Sequence, residues 1–328
     1  MMNLQTIDAR LLAGLRHNCG PVINNALADP DCIEIMLNQD GKIWIEKYGQ
    51  EHEFVGELPF EKGYMVLSLV ASSLGRTVNA SNPILEGVFP LDGSRFAAVY
   101  PPVVGPGASF SLRKRASKII SLEEYREQGV ITQEVIQLIH TAVLSRKNIV
   151  VVGGTSSGKT TFVNAIIQVI SKLCHNDRLV ILQDVAELQS ASPNSVFMFT
   201  QFIDEMHEIT MRHLAKLCMR YAPKRILAGE VRDAAALELL KLWNTGHPGG
   251  LSTYHADSAE EALYRLEELV EEAGLGSKSP LIGRAVDLVI YMEKTSDNRR
   301  RVSSIMQVNG FNKKADCYDA EYIYSAAA

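Results

Sequence analysis

The period of the apolar positions changes near residue 130, and that change divides the chain. Before it, Leu4, Ile7, Leu11, Leu12 and Leu15 recur at helical spacing and predict a helix over residues 1 to about 28. Cys32 to Leu37 and Lys42 to Glu46 alternate with period two around Asn38-Gln39-Asp40-Gly41, whose Asp-Gly pair signals a hairpin. Phe60 to Leu74 reads as a second helix, ended by Gly75. From Arg76 to Leu112, short strands and turns are punctuated by Pro83, Pro90, Asp92-Gly93, Pro101, Pro102 and Pro106. These patterns predict a smaller α+β domain over 1–115.

Residues 116–129 are expected to form a linker. Beyond them helix and strand alternate over a second domain, 130–328. Val135, Leu138, Ile139 and Ala142 mark a helix leading into the apolar run at 149–152. Further strands are expected at 178–182, 195–199, 225–229 and 250–254, with helices near 208–221, 232–245 and 258–273. Apolar strands separated by helical patterns imply an α/β fold on a largely parallel sheet. Ligands of such sheets gather at the C-terminal strand ends. Beyond about 310 the sequence carries no clear pattern.

Composition adds bounds. A chain of 328 residues exceeds a single core, which supports two domains. With 46% hydrophobic and 22% charged residues, it reads as globular. No apolar stretch approaches the roughly 18 residues of a membrane span, and the N-terminus lacks the pattern of a secretory signal. Five scattered cysteines show neither metal-type spacing nor a disulfide framework, which fits a reducing cytosol. A net charge of −5 argues against non-specific nucleic-acid binding as the main task, and no sequence-specific binding is expected.

Chemistry concentrates where the run Val150-Val151-Val152 enters Gly153-Gly154-Thr155-Ser156-Ser157-Gly158-Lys159-Thr160-Thr161, a G-x-x-x-x-G-K-T loop. Glycines let several N–H groups converge on an anion, and a following helix adds its positive end. That helix is announced by Val163, Ile166, Ile167 and Ile170. Lys159 is placed to reach the β- and γ-phosphates and the Thr160 hydroxyl to ligate Mg²⁺.

Turnover needs more than a cradle: a carboxylate to orient water, and groups that stabilise charge on the γ-phosphate. Glu230 ends the strand at 225–229 and suits the first task, although an acidic residue there also serves as a helix N-cap. Asp184 and Glu187 follow another strand, where acidic turn residues are common. His255 ends the strand at 250–254 on the phosphate side, with His247 before it, and no Cys or carboxylate is spaced to make a zinc site. Arg113-Lys114-Arg115 reads by itself as a solvated basic run.

Together these motifs make residues 148–275 resemble the secretion-traffic ATPases of type II and type IV secretion and type IV pili. The matching features are the phosphate loop, an "Asp box" at 184–187, Gly229-Glu230-x-Arg232, and a "His box" from His247 to His255. Trp243-Asn244-Thr245-Gly246-His247-Pro248-Gly249-Gly250 is most similar to the TrbB-type conjugative transfer branch. So are Asp92-Gly93-Ser94-Arg95, Pro101-Pro102 and Ser111-Leu112-Arg113-Lys114 in the N-terminal domain.

The resemblance implies a RecA-like P-loop NTPase core that binds ATP and Mg²⁺. Lys159, Thr160, Glu230, Glu187 and His255 would work on the phosphates, the metal and the water, with Glu230 and Thr160 nearest the metal. Arg113 and Arg115, with Arg95 a weaker candidate, would reach the phosphates from the N-terminal domain, and 116–129 would hold the hinge. It implies a cytoplasmic homo-oligomer, a hexameric ring, working on inner-membrane components of a conjugation apparatus, with peripheral membrane contact left open. A pilus assembly or retraction motor, or a nucleotide-gated scaffold with little hydrolysis, are the alternatives. Gln183 departs from the family pattern, since that place in the Asp box is often acidic.

Overall fold

The computed structural model describes residues 9–47, 50–115, 119–204, 207–274, 276–295 and 299–326. The chain divides into two compact units, Met1–Ser117 and Lys118–Ala328.

In the first unit α1 (Ala9–Ala28) leads into β1 (Cys32–Leu37), β2 (Lys42–Lys47) and β3 (Glu53–Glu57). Then come α2 (Phe60–Ser73), β4 (Ile84–Val88), β5 (Arg95–Val99) and β6 (Ser109–Arg113). The expected first helix is two segments, because Gly20 leaves helical geometry at φ 68° immediately before Pro21. Its predicted positions Leu4 and Ile7 lie outside the described residues. The strands form one sheet in the order β3-β2-β1-β6-β5-β4. Leu15, Ile23, Ile35, Val66, Phe96 and Leu112 belong to its core with α1 and α2.

The second unit begins with α3 (Leu122–Glu127), inside the stretch expected as linker. Residues 122–127 of that stretch are thus helical. Ser121 and Glu124 form a capping box, and Leu122 and Tyr125 are buried among residues of this unit's core. Of the rest of that expectation, 116–118 lie outside the described residues. α4 (Gln133–Leu144), β7 (Ile149–Val152), α5 (Lys159–Leu173), β8 (Leu179–Gln183) and β9 (Ser195–Phe199) follow.

A small hairpin, β10 (Gln201–Asp204) and β11 (His207–Ile209), precedes α6 (Met211–Cys218). The helix expected from 208 therefore starts late, because Thr210 caps it with His213. β12 (Arg225–Ala228), α7 (Ala235–Asn244), β13 (Leu251–Tyr254), α8 (Ala259–Glu271) and α9 (Ser279–Ala285) come next. The chain then ends in β14 (Leu288–Lys294), β15 (Arg300–Asn312) and β16 (Cys317–Ser325).

The large sheet runs β16-β15-β14-β7-β13-β12-β8-β9. From β14 to β9 neighbours are parallel, while β15 and β16 are antiparallel. The reason β7 is apolar at every position is that both its faces are covered. Val150 and Val152 meet the side of α6, α7 and α8, and Ile149 and Val151 meet the side of α4 and α5. The tail beyond 310 finishes β15 and forms β16, the outermost strand of this sheet. Among the described residues no helix is long and apolar enough to cross a membrane.

Candidate phosphate site

The register of the parallel strands decides what meets at their C-terminal ends. Tyr254 pairs with Val152, and Gln183 directly follows Leu182, the partner of Ala228. His255 therefore stands beside Gly153, and Glu230 lies one strand away. Val231 N–H donates to the Thr253 carbonyl at 2.9 Å, and the Thr253 hydroxyl donates to the Gly229 carbonyl at 2.7 Å. These bonds tie the Glu230 turn to the strand that carries His255.

Gly153 and Gly158 have φ of 152° and 91°. A Cβ on Gly153 would lie 2.0 Å from the Met292 carbonyl oxygen, so only glycine fits there. Ser156 takes a left-handed φ of 58°. Lys159 opens α5 and is buried, with its Nζ donating to the carbonyls of Gly153 and Gly154, each at 2.8 Å. Gly154 and Thr155 are exposed at the loop's tip, whereas Ser157 is buried and Thr160 and Thr161 are half-buried at the helix start.

Lysine, histidine and glutamate form a chain. Lys159 Nζ stands 3.3 Å from His255 Nδ1, and His255 Nε2 stands 3.2 Å from Glu230 Oε1. The other Glu230 oxygen accepts from Arg232. Burial pushes the Glu230 carboxyl upward, but Arg232, His255 and Lys159 outweigh it and hold it below its ordinary range. Burial and then Lys159 hold the His255 imidazole below its usual value, against the pull of Glu230. The site therefore keeps an ionised carboxylate beside a neutral imidazole at neutral pH.

The Asp box is organised by the residue that departs from the pattern. Gln183 Oε1 accepts the N–H groups of Glu187 at 3.0 Å and Leu188 at 2.9 Å. Asn164, on α5, donates to the Glu187 carbonyl at 3.0 Å and accepts from Gln189 N–H at 2.8 Å. An amide does this backbone work without adding negative charge. Glu187 is half-buried, while Asp184 is exposed and accepts from the Thr200 hydroxyl at 3.0 Å.

The His box is divided by the fold. His247 precedes β13, at the sheet edge opposite the phosphate loop. There the Asn148 Oδ1 accepts from Gly249 and Gly250 N–H, and Trp243 Nε1 donates to the Ile226 carbonyl at 3.1 Å. A Cβ on Gly250 would strike the Trp243 indole at 2.0 Å. The wording Trp243 to Gly250 is thus a packing unit.

In the first unit Arg95 and Arg113 face each other across β5 and β6, with Glu34 next in the row. Arg113 and Arg115 are exposed, and Lys114 is spent on the carbonyls of Ala26 and Asp29. Arg300 escaped the sequence reading altogether. Its Nε donates to the Ser156 carbonyl at 3.1 Å, and no motif in Arg299-Arg300-Arg301 signals this. Arg232 was visible only as part of a motif, with no role attached.

The model of the family described as "Type II/IV secretion system protein" matches residues 18–321. The chain belongs to that family. The "Probable conjugal transfer protein TrbB" of Sinorhizobium fredii (strain NBRC 101917 / NGR234) is 44% identical over 302 residues, 92% of this chain and 91% of that one. "Conjugal transfer protein TrbB" of Rhizobium radiobacter is 42% identical over the same shares. Among solved structures, the Legionella pneumophila ATPase DotB superposes with a TM-score of 0.60 at 19% identity, over 85% of this chain and 77% of that one. At that identity it speaks for the fold alone.

Proposed function

We propose that this member of the type II/IV secretion system family is a Mg²⁺-dependent ATPase that powers conjugative transfer as a ring-forming motor. The observation that carries the reading is the contact chain Lys159–His255–Glu230 at the mouth of the phosphate loop. A loop that only bound nucleotide would not need an ionised, half-buried carboxylate linked through a neutral imidazole to the phosphate lysine. The relatives named for conjugal transfer favour that setting over a pilus motor.

In this reading the loop amides and Lys159 hold the β- and γ-phosphates. Lys159 exchanges its two carbonyl acceptors for phosphate oxygens, which releases the loop to close on the nucleotide. Glu230 orients the attacking water and accepts its proton. His255 reads the γ-phosphate through Lys159 and hands that contact to Glu230. Thr160 is a fitting oxygen donor for Mg²⁺, which supplies charge neutralisation on the phosphates. Glu230, whose carboxylate also meets Arg232 and His255, would be the acidic group near that metal.

Arg95 and Arg113 are opposed across β5 and β6, with Glu34 on the other side of Arg113, so the row carries an excess of positive charge. We assign them, with Arg115, to nucleotide phosphates, in the same subunit or in the next. The ring would be cytoplasmic, hexameric, and engaged with inner-membrane components of the transfer apparatus.

The test is steady-state ATP hydrolysis per subunit over a wide range of protein concentration. A specific activity that climbs steeply and then saturates is expected of sites completed between subunits. A flat, substantial rate would keep the enzyme and make each subunit self-sufficient, and tight ATP binding without turnover at any concentration would favour a scaffold.

A further inference from the structure

We infer that Arg300 is a positioning residue for the phosphate loop, holding the Ser156–Ser157 peptide so that its amide faces the bound phosphates. The inference rests on the reading of Gly153–Thr161 as an anion cradle.

The loop's conformation is uphill for its own sequence. Ser156 sits at φ 58°, a region that L-residues other than Asn and Asp seldom occupy. The loop's own bond across this turn, Ser157 N–H to the Gly154 carbonyl, is long, and a contact from outside adds to it. Arg300, 144 residues further along the chain, donates from Nε to the Ser156 carbonyl at 3.1 Å. Among the described residues that carbonyl is the acceptor its guanidinium meets, and no carboxylate pairs with it. A trans peptide carries C=O and N–H on opposite sides, so fixing the Ser156 carbonyl outward turns the Ser157 N–H inward. The Ser157 N–H lies on that inner side and donates across the loop to the Gly154 carbonyl at 3.4 Å, a long bond that a phosphate oxygen would replace. A cationic donor also polarises the peptide and makes that amide a stronger donor to an anion.

The arginine stem contributes a second contact. Its Cδ lies 3.1 Å from where a Cβ on Gly158 would stand, and the Met292 carbonyl closes on Gly153. β14 and β15, paired Lys294 to Arg300 and Met292 to Val302, therefore form the outer wall of the cradle. A shift of that antiparallel pair would reach the phosphate amides through this one side chain.

Glutamine isolates the claim, because its Nε2 is as many bonds from Cα as the Nε of arginine. It keeps the donor and removes the charge, whereas lysine keeps the charge and moves the donor. Tripolyphosphate binding to the full chain would be measured calorimetrically for wild type, Arg300→Gln, Arg300→Lys and Arg300→Ala, with ATP turnover recorded in parallel.

Arg300→Gln should bind within about twofold of wild type, and Arg300→Ala about tenfold more weakly, the size of one directional hydrogen bond. If the alanine variant fails to fold, the Gln–Lys comparison decides alone. Equal binding by wild type and Arg300→Ala would overturn the inference. Recovery by lysine but not by glutamine would overturn it too, making Arg300 a simple attracting charge. Binding lost in Arg300→Ala from a wild type that turns over no ATP would keep the inference and overturn the motor. A wild type that binds no tripolyphosphate would overturn both.

Discussion

Glu230 holds two partners with one carboxylate: Arg232 on one oxygen, His255 on the other. Replacing it with Gln keeps the shape and removes the base. Glu230→Gln should retain ATP binding and lose turnover by roughly 10²- to 10⁴-fold, the range of a lost general base. Equal turnover would defeat the assignment, and single-turnover kinetics would show it. His255 sets the pH response. With its pKa held below the ordinary 6.5, the folded protein binds fewer protons than the unfolded chain below that value, so this contribution to stability is lost as pH falls. Protonation also places a second cation beside Lys159. Turnover should therefore be level above about pH 7 and decline below about 6.5. The acid limb should vanish in the residual activity of His255→Gln, which a pH–rate profile would reveal.

At the scale of elements, the edge of the sheet away from the phosphates is clamped by a buried ion pair. Arg225, which opens β12, donates to Asp177 at 2.7 Å and to the Val143 carbonyl at 2.9 Å, and Arg146 reaches the other Asp177 oxygen at 2.6 Å. Burial raises the Asp177 carboxyl, but the two arginines prevail and hold it below its usual range. Its contribution is thus complete above the ordinary carboxylate pKa and disappears as pH falls through the depressed value. Asp177→Asn should cost about 3 kcal/mol in urea denaturation at pH 7, by leaving a buried guanidinium uncompensated.

A different constraint joins α9 to β15. A Cβ on Gly283 would lie 2.7 Å from the Gly310 carbonyl carbon and 2.8 Å from Phe311 N. Backbone cannot step aside there, so Gly283→Ala should lower stability by about 2 kcal/mol despite alanine's better helix propensity. Thermal unfolding measures it. Both clamps escape a sequence reading, since their partners lie far apart along the chain.

For the whole molecule, the antiparallel end of the large sheet bears most on integrity. Val302, Ile305, Met306 and Val308 of β15 are buried in the second unit's two core clusters. Removing residues 299–328 would uncover β14 and strip Arg300 from the phosphate loop. Such a truncation should give insoluble protein or lose cooperative unfolding, read by soluble yield and circular dichroism. A soluble, ATP-binding truncation would contradict this account of the wall.

The sequence by itself determined what local chemistry can encode. The strand at 149–152, the phosphate loop and the helix from Lys159 are consecutive, and their pattern and glycines signal them without help from elsewhere. Fold class followed, because apolar strands separated by helical patterns leave little besides a mainly parallel sheet. Glu230, Glu187 and His255 were legible as strand-end residues, a position that ligands favour in such sheets. Tertiary structure decided the rest, since it depends on register and on pairs distant in sequence. Parallel register put His255 between Lys159 and Glu230 and sent His247 to the opposite edge. The capping box at Ser121 opened a short helix within the stretch expected as linker, and packing buried its Leu122 and Tyr125. The patternless tail became the end of β15 and all of β16, because β15 pairs on the edge of β14 and β16 on the edge of β15. Through that pairing Arg300 came to lie against a loop with which it shares no sequence signal.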